Sequence, residues 1–460
     1  MLLGLRAFIA IAVCKILRAG SRVLRRGGTA MPGHIALLIC PDLLNRLSGS
    51  VTSIAVTGTN GKTTTSRMIE ETLSEAGLDY FSNRSGANLI SGITTEFVMN
   101  SSLFGKMRKQ YAVIECDEAA ARKVFGQLQP RYIVVTNLFR DQLDRYGEIT
   151  HTLENIKEGI RSVPGAILCL NADCSLTASL AEQNSANSVV WYGIDAGAVI
   201  NSETQILSDA SHCIFCKHEY EYRYRTYAHL GGFFCPQCGY SRPDTDYSIA
   251  SVSAMTAQSS EAIIRTPQGQ FHLSVNLPAG YNLYNATAAY AICSTVGIAS
   301  KTCIHALANF SCGFGRMELF PLGAQGSRMI LIKNPAGASQ ALEYLTHITG
   351  QFVLVACLND RNADGRDVSW IWDADFSLIQ KLGGQIERIY ISGDRAYDMR
   401  IRLKYAGIPD HAMTVISKPE QLVTALQQET LPIYIIPTYT AMLDLRKAIV
   451  HRVGGKEFWE

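Results

Sequence analysis

The 460-residue sequence has no excess of charge of one sign, no spanning-length hydrophobic run near its start and no cysteine framework, and each absence narrows its class. Lys+Arg 42 against Asp+Glu 40 leaves a net charge of +2. Such a chain sets up no global field for a polyanion such as nucleic acid, so any bound phosphate needs a local site. The apolar run Phe8–Cys14 stops at Lys15, far short of the ~20 residues of a spanning helix. With no small-residue cleavage site beside it, a signal peptide is not expected either. The segment reads as a helix docked on its own domain, with a basic amphipathic helix at lipid headgroups as the alternative. Nine of the 13 cysteines are scattered singly through apolar runs, which suits buried thiols in a reducing cytoplasm better than a disulfide scaffold. Charged residues are 18% and hydrophobic ones 47%, a globular balance. At ~100–200 residues per domain the length calls for two or three domains.

From about residue 50 short apolar runs alternate with helical stretches: SIAVTG, TTSRMIEETLSEAG, YAVIE, RYIVVTN, AILCLN. That pattern predicts a parallel α/β sheet. Gly77 stands where a helix-ending glycine belongs. The alternation breaks at about 205–245, and a helix over Leu283–Val296 follows, closed by Gly297. After Arg316 a second series begins: MILIK, a helix near 338–348, QFVLVACL, a helix near 376–382, RIYIS, a helix near 396–406, IYIIP and a last helix. We expect an N-terminal helical segment (1–48), a central α/β domain (49–315) with an insertion at 205–245, and a Rossmann-like C-terminal α/β domain (316–460).

SIAVTG runs into GTNGKTTT, in which Gly58, Thr59, Asn60, Gly61, Lys62, Thr63 and Thr64 link a strand to a helix. Glycines there let backbone N–H groups face phosphate oxygens at a positive helix end. Lys62 is placed to reach the β- and γ-phosphates and Thr63 to ligate magnesium. The standard G-x4-G-K-[ST] pattern would need glycine at 56, where this chain has Val56, so the loop is a shorter variant. In the insertion, Cys213-x2-Cys216 and Cys235-x2-Cys238 are separated by 18 residues, the spacing of a zinc ribbon. A redox Cys-x-x-Cys is the rival, but such motifs come singly. Four thiolates leave no open coordination position, so a structural zinc is expected, with His212, His218 and His229 superfluous as ligands.

TGTNGKTTT, VIECDE and TNLFRDQLDRYGE, in that order, resemble the Mur ligase superfamily, whose members activate a carboxylate as an acyl phosphate with ATP. The resemblance implies Glu115 as a magnesium ligand, with Asp117 better suited to capping the next helix. It puts Asn137, Asp141 and Asp144 in the family's switch-side loop, each either as a structural cap or as a ligand contact. GYNLYNATAAY resembles the adenine-binding helix start, implying nucleotide contacts at Asn282 and Asn285, and GRME implies an arginine, Arg316, at the hinge near the phosphates. Two departures separate the chain from amino-acid-adding members. Between Lys157 and Lys301 the only lysine is Lys217, within the insertion, so the bridging carbamylated lysine is missing. IKNPAGASQAL replaces the DYAH-like start of the last domain. With LNDRNADGRDVSWIWDADF these departures resemble the MurT family, the synthetase subunits of lipid II isoglutaminyl synthases. That resemblance implies ATP- and Mg2+-dependent amidation of the D-glutamate α-carboxylate in the lipid II stem peptide, a cytoplasmic site facing the membrane through its substrate, and ammonia from a GatD-type class I glutaminase in a heterodimer or larger assembly. No cysteine here lies in a G-x-C-x-G elbow, so glutamine hydrolysis falls to the partner.

The five acidic residues Asp360, Asp364, Asp367, Asp373 and Asp375 follow the strand QFVLVACL, at the strand end where α/β folds bind ligands. Asp373 and Asp375 read as caps, and Trp370–Trp372 as a contact surface. The MurT resemblance implies that Asp367 completes a Cys-His-Asp arrangement on the partner. The rival enzyme is a Mur- or folylpolyglutamate-type ligase joining an amino acid to a carboxylate. The non-enzymatic rival, a zinc-ribbon nucleic-acid binder, is disfavoured by the small net charge.

Overall fold

The strands in order are β1 (Thr52–Thr57), β2 (Tyr80–Ser82), β3 (Tyr111–Glu115), β4 (Tyr132–Val135), β5 (Ile167–Asn171), β6 (Ser188–Ile194), β7 (Glu221–Tyr227), β8 (Leu230–Phe234), β9 (Tyr247–Met255), β10 (Ser260–Thr266), β11 (Gly269–Val275), β12 (Arg316–Phe320), β13 (Ser327–Ile330), β14 (Phe352–Cys357), β15 (Ile386–Ser392), β16 (Met413–Val415) and β17 (Ile433–Pro437). They come from a computed structural model that describes residues 4–23, 30–83, 87–141, 149–182, 184, 186–198, 209–311 and 316–454.

The larger sheet has nine strands in the order β11-β10-β9-β6-β5-β4-β1-β3-β2. From β2 to β9 all neighbours are parallel, and β9-β10-β11 close the edge antiparallel. β1, β3 and β4 are apolar and largely buried because helices cover both faces of a parallel sheet, which is why they read as unbroken hydrophobic runs. The chain runs from β1 out to β2, back to β3 and then across to β4, so β1 sits at the switch point where α/β sheets bind ligands. β10 behaves differently: its residues alternate between buried and half-buried, as expected of an antiparallel strand near an edge.

The smaller sheet runs β12-β13-β17-β14-β15-β16, parallel except for β12. Its helices include Pro335–Thr346, started by Asn334 accepting from Gly337 N, and a four-residue turn Leu378–Lys381. The helix expected near 338–348 therefore begins earlier, because Pro335 at its first turn and the Asn334 cap set its start. β7 and β8 pair as a separate hairpin in the insertion. β9–β11 had no counterpart in the expected alternation.

At the N-terminal end, helix Leu5–Val23 buries Ala7, Ala10, Ile11 and Cys14, as a docked helix should. Helix Ala30–Ile39 crosses helix Ile90–Met99 at Gly33, where a Cβ would stand 1.9 Å from Ser91 O. No helix among the described residues is long and apolar enough to cross a membrane.

Candidate nucleotide-binding site

β1 ends at Thr57 and helix Lys62–Glu75 begins five residues on, leaving Gly58–Gly61 to reverse the chain. Gly58 has φ +117° and Gly61 φ +88°, conformations that strain a residue carrying a Cβ. Space demands the same residue: a Cβ on Gly58 would meet Thr136 Oγ1 at 2.4 Å, and one on Gly61 would meet Asn285 Oδ1 at 2.2 Å. The loop is pinned from β4, since Asn60 N donates to Asn137 Oδ1 at 2.9 Å and Thr59 N to Asn137 O at 2.8 Å. The Thr59 hydroxyl is engaged with the Phe139 backbone, so Thr59 shapes the loop with its side chain turned from the cleft.

Lys62 is buried among oxygens: its Nζ donates to Gly58 O, to Thr59 O at 3.3 Å and to Glu118 Oε2 at 2.9 Å. Burial alone would push the Lys62 ammonium down, but the carboxylates of Glu118 and Glu115 outweigh it and raise its pKa, so the side chain stays charged. Burial pushes the Glu118 carboxyl up, against the pull of Lys62. Thr63 Oγ1 donates to Glu115 Oε2 at 2.9 Å, which brings together the two oxygen groups expected to hold magnesium. Asp117 accepts from Ala119 N at 3.0 Å and caps the short helix after β3.

Beside the loop lies an open cleft of about 710 Å3, lined among others by Thr64, Asn282, Asn285, Arg316 and Tyr227. Helix Gly280–Val296 brings the two asparagines in: Asn285 Nδ2 donates to Asn282 Oδ1 at 3.2 Å, and Thr65 Oγ1 donates to Asn285 Oδ1 at 3.3 Å. Arg316 enters at the start of β12. The C-terminal region contributes more than Arg316. Asn334 Nδ2 donates to Asn60 Oδ1 at 3.1 Å, and Lys333 Nζ pairs with Asp141 Oδ2 at 2.6 Å. Asp144 lies outside the described residues. Glu118, Lys333, Asn334 and Tyr227 are the site residues that motif reading passes over. Glu118 lies inside VIECDE and Lys333 and Asn334 inside IKNPAGASQAL, both segments singled out above, while Tyr227 had no local signal.

The Sγ atoms of Cys213, Cys216, Cys235 and Cys238 lie within 4.8 Å of one another, with Cys213–Cys238 at 3.6 Å and Cys216–Cys235 at 3.4 Å. Four thiolates around one zinc at ~2.3 Å require separations in this range, and a disulfide would be far shorter. Each pair forms the same turn: Lys217 N donates to Cys213 O at 2.9 Å and Gly239 N to Cys235 O at 3.0 Å, with Lys217 and Gly239 at positive φ. Burial opposes ionisation of Cys213, yet N–H groups of Cys216 and Phe215 bring its thiol down to about 7. The hairpin between the pairs reaches the cleft. Tyr227 stacks on Phe139 at 5.6 Å, and Thr226 Oγ1 meets Tyr284 Oη at 2.7 Å. The buried carboxylate Asp173 anchors this arrangement, accepting from Arg242 and Tyr284 at 2.6 Å each.

The five acidic residues after β14 play different parts. Asp367 is exposed and accepts from Ser369 N at 2.8 Å, and the Ser369 side chain together with that N–H lowers its pKa. Asp364 is buried against Thr440, and Asp360 pairs with Arg395 at 3.0 Å. Asp375 holds Ser377, but Asp373 pairs with Arg140 of the central domain, which corrects its reading as a cap. Trp370 and Ile371 are buried and only Trp372 is exposed, so the expected contact surface shrinks to one ring.

Two family models match the chain: the Mur ligase middle domain over residues 56–234 and the MurT ligase C-terminal domain over residues 331–442. The MurT subunit of the glutamine-hydrolysing lipid II isoglutaminyl synthase of Streptococcus pneumoniae is 36% identical, covering 92% of this chain and 93% of that one. The corresponding subunit of Staphylococcus aureus strain COL is 34% identical, covering 98% and 99%. Among solved structures, a pseudomurein peptide ligase type C from Methanothermus fervidus superposes with a TM-score of 0.68 at 21% identity, covering 90% of this chain and 81% of that one, a likeness of fold. With the full-length match to curated subunits and the phosphate loop beside its cleft, the chain belongs to the MurT family of ATP-dependent ligases on the Mur ligase fold.

Proposed function

We propose that this chain amidates the α-carboxylate of D-glutamate in the lipid II stem peptide, through an acyl phosphate and with ammonia supplied by a partner glutaminase of the GatD type. The observation that carries this reading is the identity to MurT subunits over more than nine-tenths of both chains. The residues of the cleft suit the chemistry. The loop's N–H groups, Lys62 and Arg316 would hold the phosphates of ATP, and the oxygens of Thr63 and Glu115 would hold Mg2+, a hard cation that takes oxygen ligands. Bound ATP and Mg2+ supply the phosphoryl group that turns an unreactive carboxylate into one that ammonia can attack. The part of Lys62 is electrostatic, offsetting charge that grows on the transferred group. Asn282 and Asn285 would orient the base end of the nucleotide. The four cysteines would hold a structural Zn2+.

One feature favours ammonia over an amino acid as the nucleophile, and another bears on where the ammonia would come from. Lys217, the single lysine of residues 158–300, sits in the cysteine turn with its Nζ on Ile214 O, remote in role from the cleft. Among the described cysteines only Cys216 and Cys238, both in the cluster, are exposed, so none offers itself as a glutaminase nucleophile. The decisive assay incubates the purified chain with ATP, Mg2+, lipid II and 15N-ammonium, and follows the muropeptide by mass spectrometry. Label entering as one carboxamide is the expected result. Incorporation of an amino acid instead would establish the folylpolyglutamate-type alternative, and inert substrate with all nitrogen donors would overturn both.

A further inference from the structure

We propose that helix Leu5–Val23 and the loop at 102–108 form a face that docks on an anionic lipid bilayer. A surface helix normally turns polar residues outward. Here one side, with Ala7, Ala10, Ile11 and Cys14, is buried, while the opposite side is also apolar. Leu5 is 76% exposed, Ile9 43% and Ile16 69%, spaced to share one stripe. Phe104, 76% exposed, extends the stripe from the neighbouring loop, its ring 5.8 Å from that of Phe8. The loop is held there by Lys15 Nζ on Ser101 O at 2.7 Å.

Charge identifies the occupant. The sequence up to Pro41 contains six Lys or Arg and no Asp or Glu, in a chain that otherwise nearly balances its charges. Arg6, Lys106 and Arg108 are exposed around the stripe. Asp42 and Asp79 on adjoining elements are ion-paired with Arg46 and Lys109. Apolar side chains ringed by basic ones fit acyl chains beneath anionic headgroups, whereas a protein partner of ordinary composition would leave the cations unanswered. The proposal does not depend on the amidation reading.

The test is flotation of the full chain with vesicles of phosphatidylcholine alone or with phosphatidylglycerol. Binding to the anionic vesicles, weakened by salt, is expected, and little to the neutral ones. Ile9→Glu/Ile16→Glu should reduce the bound fraction about tenfold. Lys106→Glu/Arg108→Glu, in an exposed loop where folding is not at stake, should do likewise. Absence of flotation with anionic vesicles, or equal flotation of wild type and both variants, would overturn the proposal. So would light scattering that showed a lipid-free dimer dissociated by the same substitutions, since the face would then belong to a second copy.

Discussion

Lys62 stands in a small enclosure of carbonyl and carboxylate oxygens, and Glu118 is its nearest counter-charge. Lys62→Ala should lower ammonia-supported turnover by about 100-fold or more, with circular dichroism unchanged. Substantial remaining turnover would remove the loop from catalysis. Glu118→Gln should lower the melting temperature, because breaking one side of a buried ion pair costs about 3–5 kcal/mol. Saturating Mg2+-ATP should narrow that gap, since phosphate oxygens then take over the neutralisation of Lys62. An equal gap with and without nucleotide would show that Lys62 never exchanges partners. Exposed Asp367 gives a third case. Asp367→Asn should abolish glutamine-supported amidation yet spare ammonia-supported amidation and complex formation, and equal loss with both nitrogen sources would move Asp367 into the ligase site. Reading residues from sequence finds the strand–turn–helix loop of Gly58–Thr64, where the residues are contiguous. It fails at Lys333 and Asn334, whose relevance arises only when a chain segment 274 residues away is folded against Asn60.

At the scale of elements, the βα alternation was legible because buried parallel strands advertise themselves as apolar runs. The edge strands β9–β11 were not. They are partly exposed and mix Ser, Thr and Gln among apolar residues, and a search for βαβ units passes over them. The cysteine hairpin was legible from spacing alone, but its bearing on the cleft was not, because the stacking of Tyr227 on Phe139 is a tertiary event. Elemental analysis should find one zinc per chain. Cys213→Ser should lower both metal content and melting temperature, since so small an element has little apolar core of its own. Because Tyr227 lines the cleft, that variant should also bind ATP more weakly by calorimetry. Metal-free protein with unchanged melting and ATP affinity would show the four thiols to be merely neighbours.

For the whole molecule, the cleft exists only while the C-terminal domain stays against the central one. Lys333–Asp141, Asn334–Asn60 and Arg140–Asp373 span the junction. The two ion pairs are partly exposed. Arg140→Ala/Lys333→Ala should therefore raise the apparent KM for ATP by about tenfold, a loss on the order of 1.4 kcal/mol, and enlarge the radius of gyration in X-ray scattering of the nucleotide-free protein. An unchanged radius and KM would mean that other contacts hold the junction. The strand order carries a different consequence, for synthesis. β6 must wait for residues 195–246 to leave the ribosome before its partner β9 is available, and the cysteine hairpin lies within that stretch. Joining strands across so long a connection carries an entropic cost that any compaction of the connection reduces. If the four cysteines hold zinc, the metal would hasten closure of the sheet beyond its first six strands, β1–β6, and metal supply would bear on how fast the enzyme matures as well as on how stable it is.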